Sequence, residues 1–225
     1  LLFTFVSPYL VPRVHPLEDP TLRARAQALA AELGVESVPV KVEDVDEFTE
    51  DANAFAGGLG PSRRVFLWNT LLDGRFSDGE VSVVVAHEFA HHARNHLWKG
   101  VAVYALFAIP GAYLIAAATR RRGSLYNATA VPLALFVFVV LNIATQPIDN
   151  ALSRRYEAEA DWVALQTTRD AASARALFEN FSSTALQDPT PPSWTYVWLA
   201  SHPTLLQRIA MADAWEARNG SAGSP

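Results

Sequence analysis

Two long apolar stretches, 100–119 and 128–148, dominate the hydrophobic pattern of the chain. Each is close to the roughly 20 residues that a helix needs to cross about 30 Å of hydrocarbon. Between them lies a polar turn with three consecutive arginines, Arg120–Arg122. The pattern predicts a transmembrane helical hairpin over residues 100–148. The alternative is a helical hairpin buried in the core of a soluble domain.

Shorter sequence patterns on both sides of the hairpin predict the remaining helices and strands. Ser77 and Glu80 have the spacing of a capping box, which predicts a helix that continues through the valine-rich run 81–85. An amphipathic helix is predicted at 20–33, and alternating or turn-bounded apolar positions predict three strands, within 38–45, 51–60 and 64–71. We therefore expect an α+β fold that is mainly helical, with a small β-sheet against the helices and the transmembrane hairpin inserted.

A hairpin returns the chain to the side of the membrane that it left. The segments 87–91 and 153–161, which flank the hairpin and carry histidines and carboxylates, should therefore meet in space. Their side of the membrane stays open, because basic residues occur both in the turn and on the flanks, and the positive-inside rule then favours neither orientation.

The segment His87-Glu88-Phe89-Ala90-His91 places two imidazoles and a carboxylate on one helix. Positions i and i+4 share a helical face, so His87 and His91 can ligate one tetrahedral Zn²⁺. Glu88 can accept a proton from a water whose pKa zinc lowers to about 7. The pattern is typical of zinc hydrolases, and the alternative is an exposed helix with two histidines by chance.

A catalytic zinc usually takes a third protein ligand and keeps one position for water. Glu157 and Asp161 are candidates, because they share a helical face. One of them can reach the metal while the other accepts the free ring N–H of a ligating histidine. Glu159 points elsewhere and is predicted to be solvated. Taken alone, all three carboxylates could also be ordinary surface charges.

His92 and His96 form a second pair at the same spacing. On a continuous helix they would lie about 100° around the axis from the first pair. No glutamate follows the first of them. We therefore interpret both as surface residues or as residues that support the metal ligands.

Together these motifs resemble the membrane zinc endopeptidases of the gluzincin group, a family that includes the type I CAAX prenyl proteases and the HtpX heat-shock proteases. The resemblance covers about residues 16–212. It implies a zincin-type fold and hydrolysis of internal peptide bonds. Ala90 stands where many relatives carry glycine, and Ala158 where an aromatic residue is common; both differences bear on substrate fit. Besides 87–91, the matching motifs are Asn53–Gly57, Arg64–Leu72, Ser153–Asp161, Ser201–Pro203 and Arg208–Ile209.

The resemblance implies roles for individual residues. His87, His91 and Glu157 would bind one Zn²⁺ per chain. Glu88 would act as the general base, and Asp161 would hydrogen-bond a ligating imidazole.

His202 is assigned a further role by the same resemblance. In the family, a histidine near this proline lies close to the metal and could donate a hydrogen bond to the oxyanion. The alternative for His202 is a capping-region residue at a helix start.

The strand predicted around Asn53, Ala54 and Phe55 offers an edge for substrate. A peptide could add along 53–57 as a further strand, held by main-chain hydrogen bonds. The alternative for Asn53 is a turn residue. We expect a peptide or protein substrate, with membrane-bound and prenylated peptides among the candidates, and the lipid bilayer as the second partner.

The amino-acid composition bears on possible partners and on the chemistry that the chain can carry out. A net charge of −5 gives no electrostatic reason to expect nucleic acid as a partner. The absence of cysteine excludes disulfides, thiolate ligands and a cysteine nucleophile. We expect residues 1–225 to form a single metallopeptidase domain, part of a longer multi-pass protein of the cell membrane. The non-enzymatic alternative is a membrane scaffold that retains this fold without catalysis.

Overall fold

The computed structural model describes residues 2–184, 188 and 190–220. The helices are α1 Leu2–Val6, α2 Pro20–Glu32, α3 Asp78–Ala93, α4 His96–Thr119, α5 Val131–Thr168, α6 Ala171–Thr184, α7 Ser193–Leu199 and α8 Leu205–Gly220. The strands are β1 Val14–Pro16, β2 Val40–Glu43, β3 Ala54–Gly57 and β4 Arg64–Trp68. The mainly helical α+β architecture predicted from the sequence is confirmed.

The four strands form one mixed sheet in the order β1-β2-β4-β3. β2 and β4 run parallel, whereas β1 pairs antiparallel with β2 and β3 pairs antiparallel with β4. Each predicted strand contains a shorter observed one. β1 was not predicted, because three residues are too few to show an alternating pattern. Among the described residues, β3 has a strand partner on one side only, so its other edge is open.

Helix α3 lies at the centre of the fold, in contact with α2, α5, α6 and β3. The predicted capping box is present: the Ser77 backbone N–H donates to the Glu80 carboxylate over 2.8 Å, and the Ser77 hydroxyl accepts from the Glu80 N–H over 3.3 Å. Val81, Val83 and Val85 are buried. Because β-branched residues are mediocre helix formers, packing against these neighbours stabilises α3.

A left-handed residue separates α3 from α4. Asn95 has φ 56° and ψ 34°, a conformation that asparagine tolerates better than most residues. The chain therefore changes direction before His96. The assumption of one continuous helix through His92 and His96 is wrong for this reason.

Within the described part of the chain, two helical segments are long and apolar enough to cross a membrane, His96–Arg122 and Ala128–Thr168. In their most apolar windows only 0% and 6% of the residues are buried. The described residues therefore do not bury these two apolar segments in a core of their own. Exposed apolar surface of this extent favours a lipid environment.

Helix α5 joins the second apolar stretch to the catalytic segment without interruption. Its 38 residues correspond to about 57 Å, nearly twice the roughly 30 Å of a hydrocarbon core. The C-terminal part of α5 packs on α3. One continuous helix therefore carries Glu157 and Asp161 from the hairpin to the central helix.

Candidate metal centre

Three side chains converge where α5 packs on α3: His87, His91 and Glu157. Nε2 of His91 lies 3.1 Å from Nε2 of His87. The two carboxylate oxygens of Glu157 lie 3.2 Å from Nε2 of His87 and 3.5 Å from Nε2 of His91. The two motifs that flank the hairpin thus meet in space, as the sequence predicts.

The donor atoms fit a zinc ion. Bonds of about 2.0–2.1 Å to a tetrahedral ion place neighbouring ligand atoms about 3.3 Å apart. The three observed distances bracket this value. Two imidazole nitrogens and a carboxylate oxygen are also donors that zinc accepts in catalytic sites. The group can therefore hold a metal ion with little rearrangement.

A buried ion pair supports His87. Nδ1 of His87 lies 2.9 Å from Oδ1 of Asp161, whose carboxylate also accepts from Nε and Nη2 of Arg208 over 2.8 Å and 2.5 Å. The side chain of Asp161 is only 3% exposed, and the Arg208 guanidinium packs over the ring of Phe178. Because a carboxylate accepts, the proton of His87 is held on Nδ1 and Nε2 is left free to face the ion.

His91 has a different support. Its Nδ1 lies 3.0 Å from Nδ1 of His96, and Nε2 of His96 lies 3.3 Å from Oε2 of Glu159. Since Glu159 can only accept, His96 donates from Nε2 and accepts the Nδ1–H of His91. The ring of His96 also stacks on Tyr156, with 4.7 Å between the ring centroids. This arrangement leaves Nε2 of His91 free for the ion.

The sequence left two interpretations open for His96 and His92: surface residues, or residues that support the metal ligands. His96 is of the second kind, because the left-handed Asn95 turns its side chain, which is 3% exposed, toward His91. His92 is also buried, and its Nε2 contacts the backbone oxygen of Arg64 at 3.0 Å, which connects α3 to β4. Glu159 is 40% exposed but is engaged by His96 and is not simply solvated.

Glu88 lies beside the three donors in a cavity of about 300 Å³. Burial raises the pKa of Glu88 to about 7, although the neighbouring His87 lowers it. A carboxyl group with a pKa near neutrality is suited to accept and release a proton near neutral pH. The arrangement can therefore move a proton next to a metal site.

The predicted substrate strand lines the same cavity. Asn53, Ala54 and Phe55 all contribute to its wall, at the open edge of the sheet. The side-chain oxygen of Asn53 accepts from the Ala54 N–H over 2.8 Å, and Phe55 stacks on Phe66. Asn53 itself precedes β3, and its side-chain bond is local, as the turn interpretation also expects.

His202 lies on the segment between α7 and α8, at the exposed side of the cavity. Its Nε2 is 3.4 Å from Oε2 of Glu157, and its side chain is 59% exposed. The Ser201 hydroxyl lies 3.0 Å from Nδ1 of the same ring. The histidine is therefore near the three donors while its ring remains accessible.

Comparison with known proteins agrees with this geometry. The model of peptidase family M48 matches residues 16–216. The metalloprotease YhfN of Bacillus subtilis is 29% identical over 230 residues, which cover 96% of this chain and 54% of YhfN. CAAX prenyl protease 1 of Saccharomyces cerevisiae is 27% identical over 247 residues, which cover 95% of this chain and 52% of that protein. The chain thus spans about half the length of the curated relatives it matches.

The fold also matches a solved structure. Ste24p of S. mikatae aligns with a TM-score of 0.78 at 24% identity, covering 94% of this chain and 54% of that one. The resemblance inferred from the motifs is confirmed. Because the family model covers most of its length, the chain belongs to peptidase family M48.

Proposed function

We propose that this protein is a membrane zinc endopeptidase that hydrolyses internal peptide bonds. One observation carries the proposal: the carboxyl group of Glu88 shares a cavity with the three-donor group of His87, His91 and Glu157. A site that only holds a structural ion has no need for an adjacent free carboxyl group and an accessible cavity. The non-catalytic scaffold is for this reason the weaker alternative.

Individual residues then have defined tasks. When bound, a zinc ion lowers the pKa of water to about 7 and polarises a substrate carbonyl. Glu88 accepts a proton from the attacking water and passes it to the leaving amine. His202, on the accessible side of the cavity, donates a hydrogen bond to the carbonyl oxygen as negative charge develops there. Asp161 keeps the proton of His87 on Nδ1.

The substrate is proposed to bind as an added strand along β3, next to Asn53, Ala54 and Phe55. The open edge of β3 and its place in the cavity wall support this proposal. Membrane-bound peptides are the proposed substrate class, because the site adjoins two exposed apolar helices. Prenylated peptides are a specific candidate, since a relative is a CAAX prenyl protease.

The same observations support an arrangement in the membrane. We place residues 100–148 across the bilayer as a hairpin, within one metallopeptidase domain over residues 1–225 of a multi-pass membrane protein. A cell-membrane location is part of this proposal.

The test is Glu88→Gln in protein reconstituted into lipid vesicles. The variant should retain its zinc but lose cleavage by about 100-fold or more, because general-base catalysis typically contributes 10²–10⁴-fold. Zinc content and cleavage of a prenylated peptide and of an unfolded membrane protein are measured side by side. The matched control is Glu179→Gln, the same change at an exposed position of α6.

Undiminished cleavage by Glu88→Gln would refute the assigned base. A wild-type protein that binds zinc but cleaves neither substrate would favour the scaffold. The two substrates also separate a prenyl-peptide processor from a protease of misfolded membrane proteins.

A further inference from the structure

Helix α7 is short and apolar, yet it is hardly buried. Its sequence is Ser-Trp-Thr-Tyr-Val-Trp-Leu, and none of its residues is buried. Trp194 is 65% exposed and Leu199 is 70% exposed. A seven-residue helix is too short to be stable in water by itself, so contacts with its surroundings must hold it.

Two polar side chains of α5 bind the backbone of α7. The Asn150 side-chain amide donates to the Val197 carbonyl over 3.3 Å. The Arg154 guanidinium donates to the carbonyls of Tyr196 and Ala200 over 3.0 Å and 2.6 Å, and it also packs over the Tyr196 ring. The position of α7 along the axis of α5 is therefore defined.

This position coincides with the end of the second apolar stretch at Ile148. At 1.5 Å per residue, Asn150 lies about 3 Å and Arg154 about 9 Å further along the helix axis. The interfacial layer on each side of a bilayer is about 5–8 Å thick, so Asn150 falls within it and Arg154 lies near its outer limit. Ile148 is itself 48% exposed, so the apolar surface of α5 leads up to α7. Tryptophan and tyrosine are enriched in this layer.

We propose that α7 lies in the interfacial layer of the bilayer, with Trp194, Trp198 and Leu199 in contact with lipid. This inference rests on the proposed membrane location of the hairpin. Since α7 continues through Ala200 into the segment that carries His202, the lipid surface then forms one border of the accessible side of the cavity.

The chain contains no cysteine, so single spin labels can be introduced at chosen positions. Trp194→Cys and Leu199→Cys are labelled in the protein reconstituted into phosphatidylcholine and phosphatidylglycerol vesicles. Relaxation by oxygen, which enters lipid, is compared with relaxation by a water-soluble nickel chelate. Phe138→Cys in the second apolar stretch is the lipid control, and Glu36→Cys on the α2–β2 connection is the water control.

Both α7 positions should show a ratio of oxygen to nickel accessibility between those of the two controls and clearly above that of Glu36→Cys. A ratio equal to that of Glu36→Cys would overturn the inference. Low accessibility to both reagents would also overturn it, because another protein segment would then cover α7. If Phe138→Cys itself reports water, the membrane location fails together with the inference. Peptidase activity is not measured here, so that part of the proposed function is tested separately.

Discussion

His87 and His91 present the same ring nitrogen to the candidate metal site, but different partners hold their other nitrogens. His87 contacts Asp161, a buried carboxylate that is itself bound by Arg208. His91 contacts His96, a second imidazole that leads to Glu159 at the surface. One support is a buried ion pair, and the other is a chain of hydrogen bonds toward solvent.

Because of this difference, the partners of His87 and of His91 should affect metal binding and folding stability to different extents. Removing one member of a buried ion pair leaves an uncompensated charge, so the Asp161 side should affect metal binding and folding together. The His96 side ends at a group that is 40% exposed, where charge contributes little to stability. The two ligands can therefore be perturbed with different consequences, which gives the following predictions.

The largest effect is expected for Asp161→Asn. Metal affinity should fall by about 10–100-fold, because the orientation and basicity of His87 change. The free energy of unfolding should fall by about 3 kcal/mol or more, because Arg208 loses its charged partner in the interior. Competition with a metal chelator and thermal unfolding of the metal-free protein measure the two effects.

Asp213→Asn is the matched control for this change. Asp213 is 54% exposed and pairs with Arg175 at the surface, so its loss should cost less than about 1 kcal/mol. Equal destabilisation by the two variants would contradict the distinction between the buried and the exposed pair.

The next largest effect is the pH dependence of metal affinity. In the metal-free protein, burial lowers the pKa of His87. Hydrogen bonds to Asp161 and Glu157 raise it by more than burial lowers it, so the pKa of His87 is about 10. Burial and the charge of His87 lower the pKa of His91 to about 3. At neutral pH His87 therefore carries a second proton, on Nε2, which must leave before metal binds, whereas His91 carries only the proton on Nδ1.

Metal affinity should thus weaken about tenfold for each unit by which the pH falls, corresponding to one displaced proton. The measurement uses Glu88→Gln, which removes the carboxyl group that titrates near neutrality. A hundredfold change in metal affinity per pH unit would mean that two protons are displaced and that His91 is also protonated. A metal affinity that does not change with pH would contradict the protonated state of His87.

A smaller effect is expected for His96→Phe. The aromatic ring can still pack on Tyr156, but the Nδ1–H of His91 loses its acceptor, so metal affinity should fall about tenfold and stability by about 1 kcal/mol. Restoration of affinity by His96→Gln, which supplies an acceptor, would distinguish orientation of His91 from simple packing. His92→Phe is the control: it should lower stability without a matching loss of metal affinity.

The smallest effect is expected for Glu159→Gln. The amide oxygen can still accept from His96, and the position is partly exposed, so metal affinity should change by less than about threefold. The same chelator competition measures it. A loss as large as that of His96→Phe would mean that the charge of Glu159, and not only its hydrogen bond, acts on His91.

Much of the candidate site could be predicted from the sequence because it depends on local geometry. The shared face of His87 and His91 follows from the helical period, and the capping interactions of Ser77 and Glu80 follow from their spacing. The hairpin follows from the length of its apolar stretches, and it accounts for the approach of Glu157 to the histidines. Each of these features is encoded within about one element of the chain.

Only the tertiary structure decided which role each residue has when several residues share one local sequence pattern. Glu157 and Asp161 lie on one helical face, and the packing of α5 on α3 directs Glu157 to the donor nitrogens and Asp161 to Nδ1 of His87. A single left-handed residue, Asn95, turns His96 inward against the helical period. Periodicity determines which side chains share a face, but the distance between atoms on different elements depends on how the whole core packs.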